Sequence, residues 1–250
     1  MISERYFIEL SYDGSEYSGW QRQPNAMTIQ EEIESALSML YGAEVSIMGC
    51  GRTDAGVHAA QYFCHCDLIE DRYTVAEACY KLNCILPNAI ALKQIIKVES
   101  DAHTRFDATE RSYYYDIHIN KNPFILKHSY RFVQAEKIDN SLLNESAALI
   151  KTYEDFYPFC KSHADVDTFK CQIKRSEWEK TEMGYRFHIT ANRFLRGMVR
   201  MIVGMCLNVS TGKLKLSDVK IALEKQTRLD MAWSVPAEGL FLSEIKYPYI

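Results

Sequence analysis

Strand, helix, strand, strand, helix, strand is the order of apolar periodicities in the first hundred residues, and the remainder of the chain repeats it. That order predicts an α+β fold of two ferredoxin-like (RRM-like) halves, each a split βαβ unit. The open sheets of the halves are expected to join into one extended antiparallel sheet with helices packed on one side. Length and composition agree: 250 residues, 47% of them hydrophobic, suffice for one large domain or two small ones with a sizeable core. The expected halves are residues 1–104 and 105–250, and no Pro-, Gly- or Ser-rich linker separates them.

Each element has its own signal. Residues 5–12 alternate, with Tyr6, Ile8, Leu10 and Tyr12 on one face of a strand that Asp13-Gly14 ends. Thr28-Ile29-Gln30-Glu31 has the form of a capping box, and Ile29, Ile33, Ala36, Leu37 and Leu40 follow it at helical spacing. Val45 to Gly49 and Gln61 to Asp67 are the next two strands. A second capping-box pattern, Thr74-Val75-Ala76-Glu77, starts a helix that runs to Pro87, and Ala89 to Val98 is the last strand of this half. In the second half, Ser112 to Ile119 is a strand and Ser141 to Thr152 a helix. Cys171 to Lys180 and Tyr185 to Ala191 form a hairpin about Met183-Gly184. Arg193 to Leu207 and Ser217 to Lys225 are helices, and Leu240 to Tyr247 is the closing strand.

Composition excludes several classes. No run of about 18 apolar residues is present, so no membrane span is expected. Met1 to Arg5 lacks a basic start followed by an apolar stretch and does not read as a secretory signal. Eight cysteines without a Cys-x-x-Cys pair read as reduced thiols in a cytoplasmic protein. The net charge of −4 weakly opposes a nucleic-acid partner but leaves room for a local basic face.

Residues Gly51 to His58 carry the strongest chemical signal: one carboxylate, Asp54, between an arginine and two glycines, just after an apolar strand. A lone ionised carboxylate can stabilise positive charge, attack an electrophilic carbon, or take a proton. It stays ionised in a water-poor pocket only beside a cation. The plain alternative is a turn Asp bonding its own loop. In Arg105 to Tyr115, Tyr113 and Tyr115 share one strand face, which offers either a stacking platform for a base or half of a core. Arg193, Arg196 and Arg200 are spaced to share one helix face, either gripping phosphates or meeting solvent.

The stretch GRTDAGVHA at residues 51–59 resembles the catalytic motif of the TruA family of tRNA pseudouridine synthases. Four further segments match that family in order: the opening YDGxxYxGWQxQ from Tyr12, RFxAxxRxYxY from Arg105, FLxxMVR from Phe194, and PAxGLxL from Pro236. The stretch Tyr153 to Phe159 only partly fits the family's HDFxxF. The resemblance implies that Asp54 is the essential carboxylate, that Tyr113 contacts the target uridine, and that Arg200 pairs with Asp54. It further implies that Leu242 lines the uracil pocket and that Arg52 helps to open the RNA stem. Arg22, Gln23, Arg193 and Arg196 are candidate RNA contacts.

The implied activity is isomerisation of uridine to pseudouridine in the tRNA anticodon stem-loop, at positions 38, 39 and 40, by a homodimer. The alternatives are a TruA-family paralogue acting on a different RNA and a non-catalytic RNA-binding protein on the same scaffold. No cofactor and no metal are expected. Cys64-His65-Cys66 alternate in direction along a strand and lack a second ligand pair. Gly49-Cys50-Gly51 lacks the third glycine of a dinucleotide loop.

Overall fold

The computed structural model describes residues 3–69, 72–161 and 167–250. It is an α+β chain whose strand pairings are mostly antiparallel. Two compact units emerge: Met1–Thr109 with Phe241–Ile250, and Glu110–Leu240. From Phe241 on the closing strand belongs to the first unit, whereas the order of elements in the sequence predicts one half over residues 105–250.

The first unit contains β1 (Ser3–Tyr12), α1 (Ile29–Tyr41), β2 (Met48–Gly49), β3 (His58–Ile69), α2 (Val75–Ile85), β4 (Ile90–Lys97) and most of β9 (Leu240–Lys246). Its strands run in the order β4-β1-β3-β9, with β2 on β3. β1 lies antiparallel between β3 and β4, so that Ile8 faces Cys64 on one side and Ile95 on the other. β9 joins β3 in parallel, with His58 opposite Phe241 and Ala59 opposite Leu242. Phe7, Ile8, Leu10, Tyr62 and Cys64 from the sheet, with Ile29, Ile33, Leu37 and Leu82 from the helices, form the buried core.

The two expected capping boxes part ways. At α2 the box forms: the Thr74 hydroxyl accepts from the Glu77 N–H at 3.3 Å, and the Glu77 carboxylate accepts from the Thr74 N–H at 2.9 Å. At α1 the Thr28 side chain makes no capping bond. The first amides of that helix are already taken, Ile29 N–H by the Gly19 carbonyl at 3.2 Å and Gln30 N–H by the Trp20 carbonyl at 3.0 Å. The strand expected over Val45 to Gly49 shrinks to β2 for a similar reason. The Val45 N–H donates to Ser38 Oγ at 3.0 Å and the Ile47 N–H to Glu34 Oε1 at 3.1 Å, so α1 side chains replace a neighbouring strand.

The second unit contains β5 (Glu110–His118), β6 (Tyr130–Arg131), α3 (Asn140–Ile150), β7 (Ile173–Lys180), β8 (Gly184–Ala191), α4 (Met198–Ser210) and α5 (Leu216–Lys225). Its sheet runs β5-β8-β7, with the two-residue β6 parallel to β5. α3 packs against β7 and α4. All but one residue of α4 is buried, and Phe156, Phe159, Phe187 and Ile189 are buried in the same unit. α4 begins at Met198, not at the Arg193 that spacing suggested, because Gly197 takes a left-handed conformation (φ 72°) and breaks the helical run. Arg193 and Arg196 therefore lie in the preceding loop, and the single helical face holding all three arginines does not exist.

Candidate active site

Asp54 sits half-buried in the loop between β2 and β3, one residue after the buried Thr53 and two after the exposed Arg52. The loop turns tightly at Asp54, since the Val57 N–H donates to the Asp54 carbonyl at 3.2 Å and Gly56 has φ 75°. Both flanks are pinned. On the near side the Thr53 hydroxyl lies 2.9 Å from the Tyr12 hydroxyl, with both side chains buried, and the Tyr62 hydroxyl donates to the Gly51 carbonyl. On the far side Val57 and His58 are buried.

The pins come largely from the segment between β1 and α1. The Trp20 N–H donates to the Thr53 carbonyl at 3.3 Å, and the Gly56 N–H donates to the Tyr17 carbonyl at 3.2 Å. Two glycines allow this approach. A Cβ on Gly19, whose φ is 95°, would collide with the Thr53 carbonyl and press on Asp54 C at 3.1 Å. A Cβ on Gly14 would collide with the Val57 carbonyl. The indole of Trp20 stacks on Tyr62 at 4.1 Å, which holds the segment against the sheet.

His58 is the third pin. Its Nδ1 lies 3.1 Å from the Gly14 N–H and 3.1 Å from Asp13 Oδ1. A neutral Nδ1 accepts from Gly14; a protonated one donates to Asp13. The ring stacks on Phe241 at 4.4 Å with 20° between planes. Leu242, buried at 2% exposure, follows immediately and pairs with Ala59. The His58 imidazole thus adds a ring contact to the β3–β9 pairing that ties the end of the Asp54 loop to the strand of Leu242.

In the second unit Tyr113 is half-buried on β5, and its ring meets Phe194 edge-on at 5.2 Å. Tyr115 is fully buried and donates to the Pro236 carbonyl at 2.8 Å. Burial pushes its phenol far above the ordinary range; the Glu238 carboxylate adds to this and the Arg200 guanidinium opposes it. Arg200, in the first turn of α4, donates through Nε to the Val235 carbonyl at 2.6 Å, and the Val235 N–H returns a bond to the Arg200 carbonyl at 3.3 Å. Gly239 packs on Tyr115, where a Cβ would come within 2.8 Å of the ring. The Arg200 side chain is therefore held by the same Val235–Gly239 segment that receives the Tyr115 hydroxyl.

Arg22 is exposed and forms long ion pairs with Glu31 and Glu34, each at 3.6 Å. Gln23 donates to the Ser18 carbonyl at 3.0 Å. Arg193 is half-buried and Arg196 exposed, ahead of α4. Residue-by-residue reading passed over Tyr12, Gly14, Gly19, His58 and Phe241. The signal for the first three was present in the Tyr-Asp-Gly and Ser-Gly-Trp triplets, since two glycines in a polar, aromatic loop mark close backbone approach. Nothing in the sequence connects His58 to Phe241.

A family model described as tRNA pseudouridine synthase matches residues 153–248. The chain is 43% identical over 252 residues to the tRNA pseudouridine synthase A of Porphyromonas gingivalis, covering 98% of this chain and 97% of that protein. It is 42% identical over 249 residues to the protein of the same name from Bacteroides fragilis, covering 99% and 98%. With that of Bacillus subtilis it shares 32% identity over 244 residues, covering 95% and 97%.

Proposed function

The chain belongs to the tRNA pseudouridine synthase A family, and from that premise we propose that Asp54, Tyr113 and Arg200 carry out its reaction on uridines of the anticodon stem-loop. The enzyme is an isomerase that converts uridine in tRNA to pseudouridine. The anticodon-arm targets are positions 38, 39 and 40.

The N1–C1′ bond breaks, the uracil turns within its pocket, C5 bonds to C1′, and the C5 proton is lost as N1 gains one. Atoms and electrons balance without water or a redox partner. Asp54 acts at the ribose, by bonding C1′ or by taking the C2′ proton; deuteration at C2′ slows only the second route. Arg200 keeps the carboxylate charged, since an adjacent cation favours the ionised form. Tyr113 stacks on the base and assists loss of the C5 proton. Leu242 lines the apolar side of the uracil site. A uridine inside a stem must leave the stack first, at a cost of a few kcal/mol. Arg52, exposed at the loop tip, assists that opening, and Arg22 and Gln23 contact the RNA beyond it. The enzyme works as a homodimer in the cytoplasm.

The observation that carries this reading is the local build around Asp54: a half-exposed carboxylate at the tip of a turn whose neighbours on both sides are buried and hydrogen-bonded. A turn carboxylate with no task has no need of such anchoring. The test is incubation with unmodified tRNA followed by chemical mapping of pseudouridine. The expected result is product in the anticodon arm, with the rate reduced at least ~100-fold in Asp54→Asn while tRNA binding remains. Full activity in Asp54→Asn would remove this carboxylate from the mechanism, and product at other positions would overturn the target.

A further inference from the structure

The net charge of −4 is not shared evenly. Nine Lys and Arg against 17 Asp and Glu give the first unit −8, whereas 20 against 16 give the second unit +4. An RNA ligand held through its phosphates belongs on the second of these.

Within that unit four cations converge on one short stretch of chain. The Lys161 N–H donates to the Arg196 carbonyl at 3.1 Å. The Lys161 stem runs along Gly197, where a Cβ would come within 3.0 Å of Lys161 Cγ. Arg228 donates to the Cys160 carbonyl and lies over the Tyr157 ring at 4.9 Å. Burial pushes the Cys160 thiol up, and the charges of Arg228 and Arg193 both oppose it. Arg196 and Arg228 are exposed, and Lys161 and Arg193 half-buried. Among the described residues Arg193, Arg196 and Arg228 form no ion pair with a carboxylate. Cations that merely solubilise a surface are free to move. Here the Lys161 stem rests against Gly197 and the Arg228 guanidinium is held by a carbonyl and an aromatic face, and a guanidinium so held is preorganised for phosphate oxygens.

We infer that Lys161, Arg193, Arg196 and Arg228 form a binding site for the phosphodiester backbone of the tRNA substrate. The site rests on the proposed function for the identity of its ligand, but not on any catalytic role. It adds Lys161 and Arg228 to the two arginines that sequence alone offered, and it relocates that pair from a helix face to a loop cluster.

The test is equilibrium binding of unmodified tRNA to the full-length protein across a salt series, beside a pseudouridine assay of the same preparations. Lys161→Ala and Arg196→Ala are each expected to weaken binding several-fold and to reduce the slope of log affinity against log salt by about 0.7–0.9, with the double variant losing both increments. Arg228→Lys keeps the charge and hence the slope, but loses the planar fork and binds several-fold more weakly. Thermal melting of each variant separates this from unfolding. Lys81→Ala, an exposed cation on α2 in the acidic unit, leaves the slope unchanged. Slopes equal to wild type in the single and double variants overturn the inference even if pseudouridine forms normally. Reduced slopes in a protein that makes no pseudouridine sustain it and overturn the proposed reaction instead.

Discussion

The imidazole of His58 lies flat on the ring of Phe241 at 4.4 Å while its Nδ1 sits 3.1 Å from the Gly14 N–H. One side chain thereby ties three segments distant in sequence: the loop of Asp54, the turn after β1, and the last strand. The two contacts use different chemistry, a ring face and a nitrogen lone pair, so they can be removed separately.

His58→Asn offers an amide oxygen where Nδ1 stood but no ring, and His58→Phe keeps a ring but no acceptor. The asparagine variant loses about 0.5–1.5 kcal/mol of aromatic contact and retains most of its turnover. The phenylalanine variant strands the Gly14 N–H, at about 1–3 kcal/mol, and its kcat falls more than its KM rises. Steady-state kinetics beside urea unfolding of both variants distinguishes them. Equal loss of kcat in the two would mean that His58 acts through bulk alone.

Gly19→Ala strikes the same loop from the other side. Its φ of 95° disfavours any side chain, and a Cβ would drive into the Thr53 carbonyl. Left-handed strain costs about 1–3 kcal/mol, and displacement of Thr53 moves Asp54 with it. The variant is expected to fold with a lower melting temperature and to lose activity out of proportion to that loss. Wild-type kinetics in a folded Gly19→Ala would show that the approach of these backbones is incidental.

Tyr115→Phe tests the support beneath Arg200. Removing the hydroxyl leaves the half-buried Pro236 carbonyl without its 2.8 Å donor, a loss of about 0.5–1.5 kcal/mol. Denaturant titration should find a lower midpoint, with activity falling modestly because Arg200 keeps its own bond to Val235. A midpoint equal to wild type would remove this hydrogen bond from the fold's stability.

His65 sets a pH dependence unrelated to catalysis. Burial lowers its pKa from 6.5 to about 4, with the Arg5 charge adding to the effect, and Nδ1 accepts from the Thr104 N–H at 3.3 Å. The folded protein resists the proton that the unfolded chain accepts, so this contribution is fully present above about pH 6.5 and is lost as pH falls towards 4. Melting temperature measured from pH 7.5 down to 4.5 should drop less steeply in His65→Gln than in wild type. Parallel curves would assign the acid sensitivity to other groups.

Elements whose cause lies within a few consecutive residues were legible in the sequence. α2 carries its own cap in Thr74 and Glu77, and stops before Pro87 because the residue ahead of a proline disfavours helix. Elements set by distant partners were not. The Thr28 signal at α1 was as good as that of Thr74, but Gly19 and Trp20 reached the amides first. The arginine stripe failed because one glycine at φ 72° ends the helical phase that spacing assumes. In the candidate site, motif likeness marked Asp54, Tyr113, Arg200 and Leu242. The buried supports were hidden because a stacked His or a clashing Cβ has no periodicity to read.

The parallel pairing of β9 with β3 bears on how the protein is born. Residues 110–240 are contiguous and can condense as soon as they leave the ribosome, whereas the first unit waits for its final strand. Until then the rim of β3 beside His58 lacks that partner, and bare strand rims invite association with other nascent chains. Synthesis thus delivers the Phe241 ring against His58 last, so an unfinished polypeptide holds the Asp54 loop through Tyr12, Tyr17 and Trp20 without that contact.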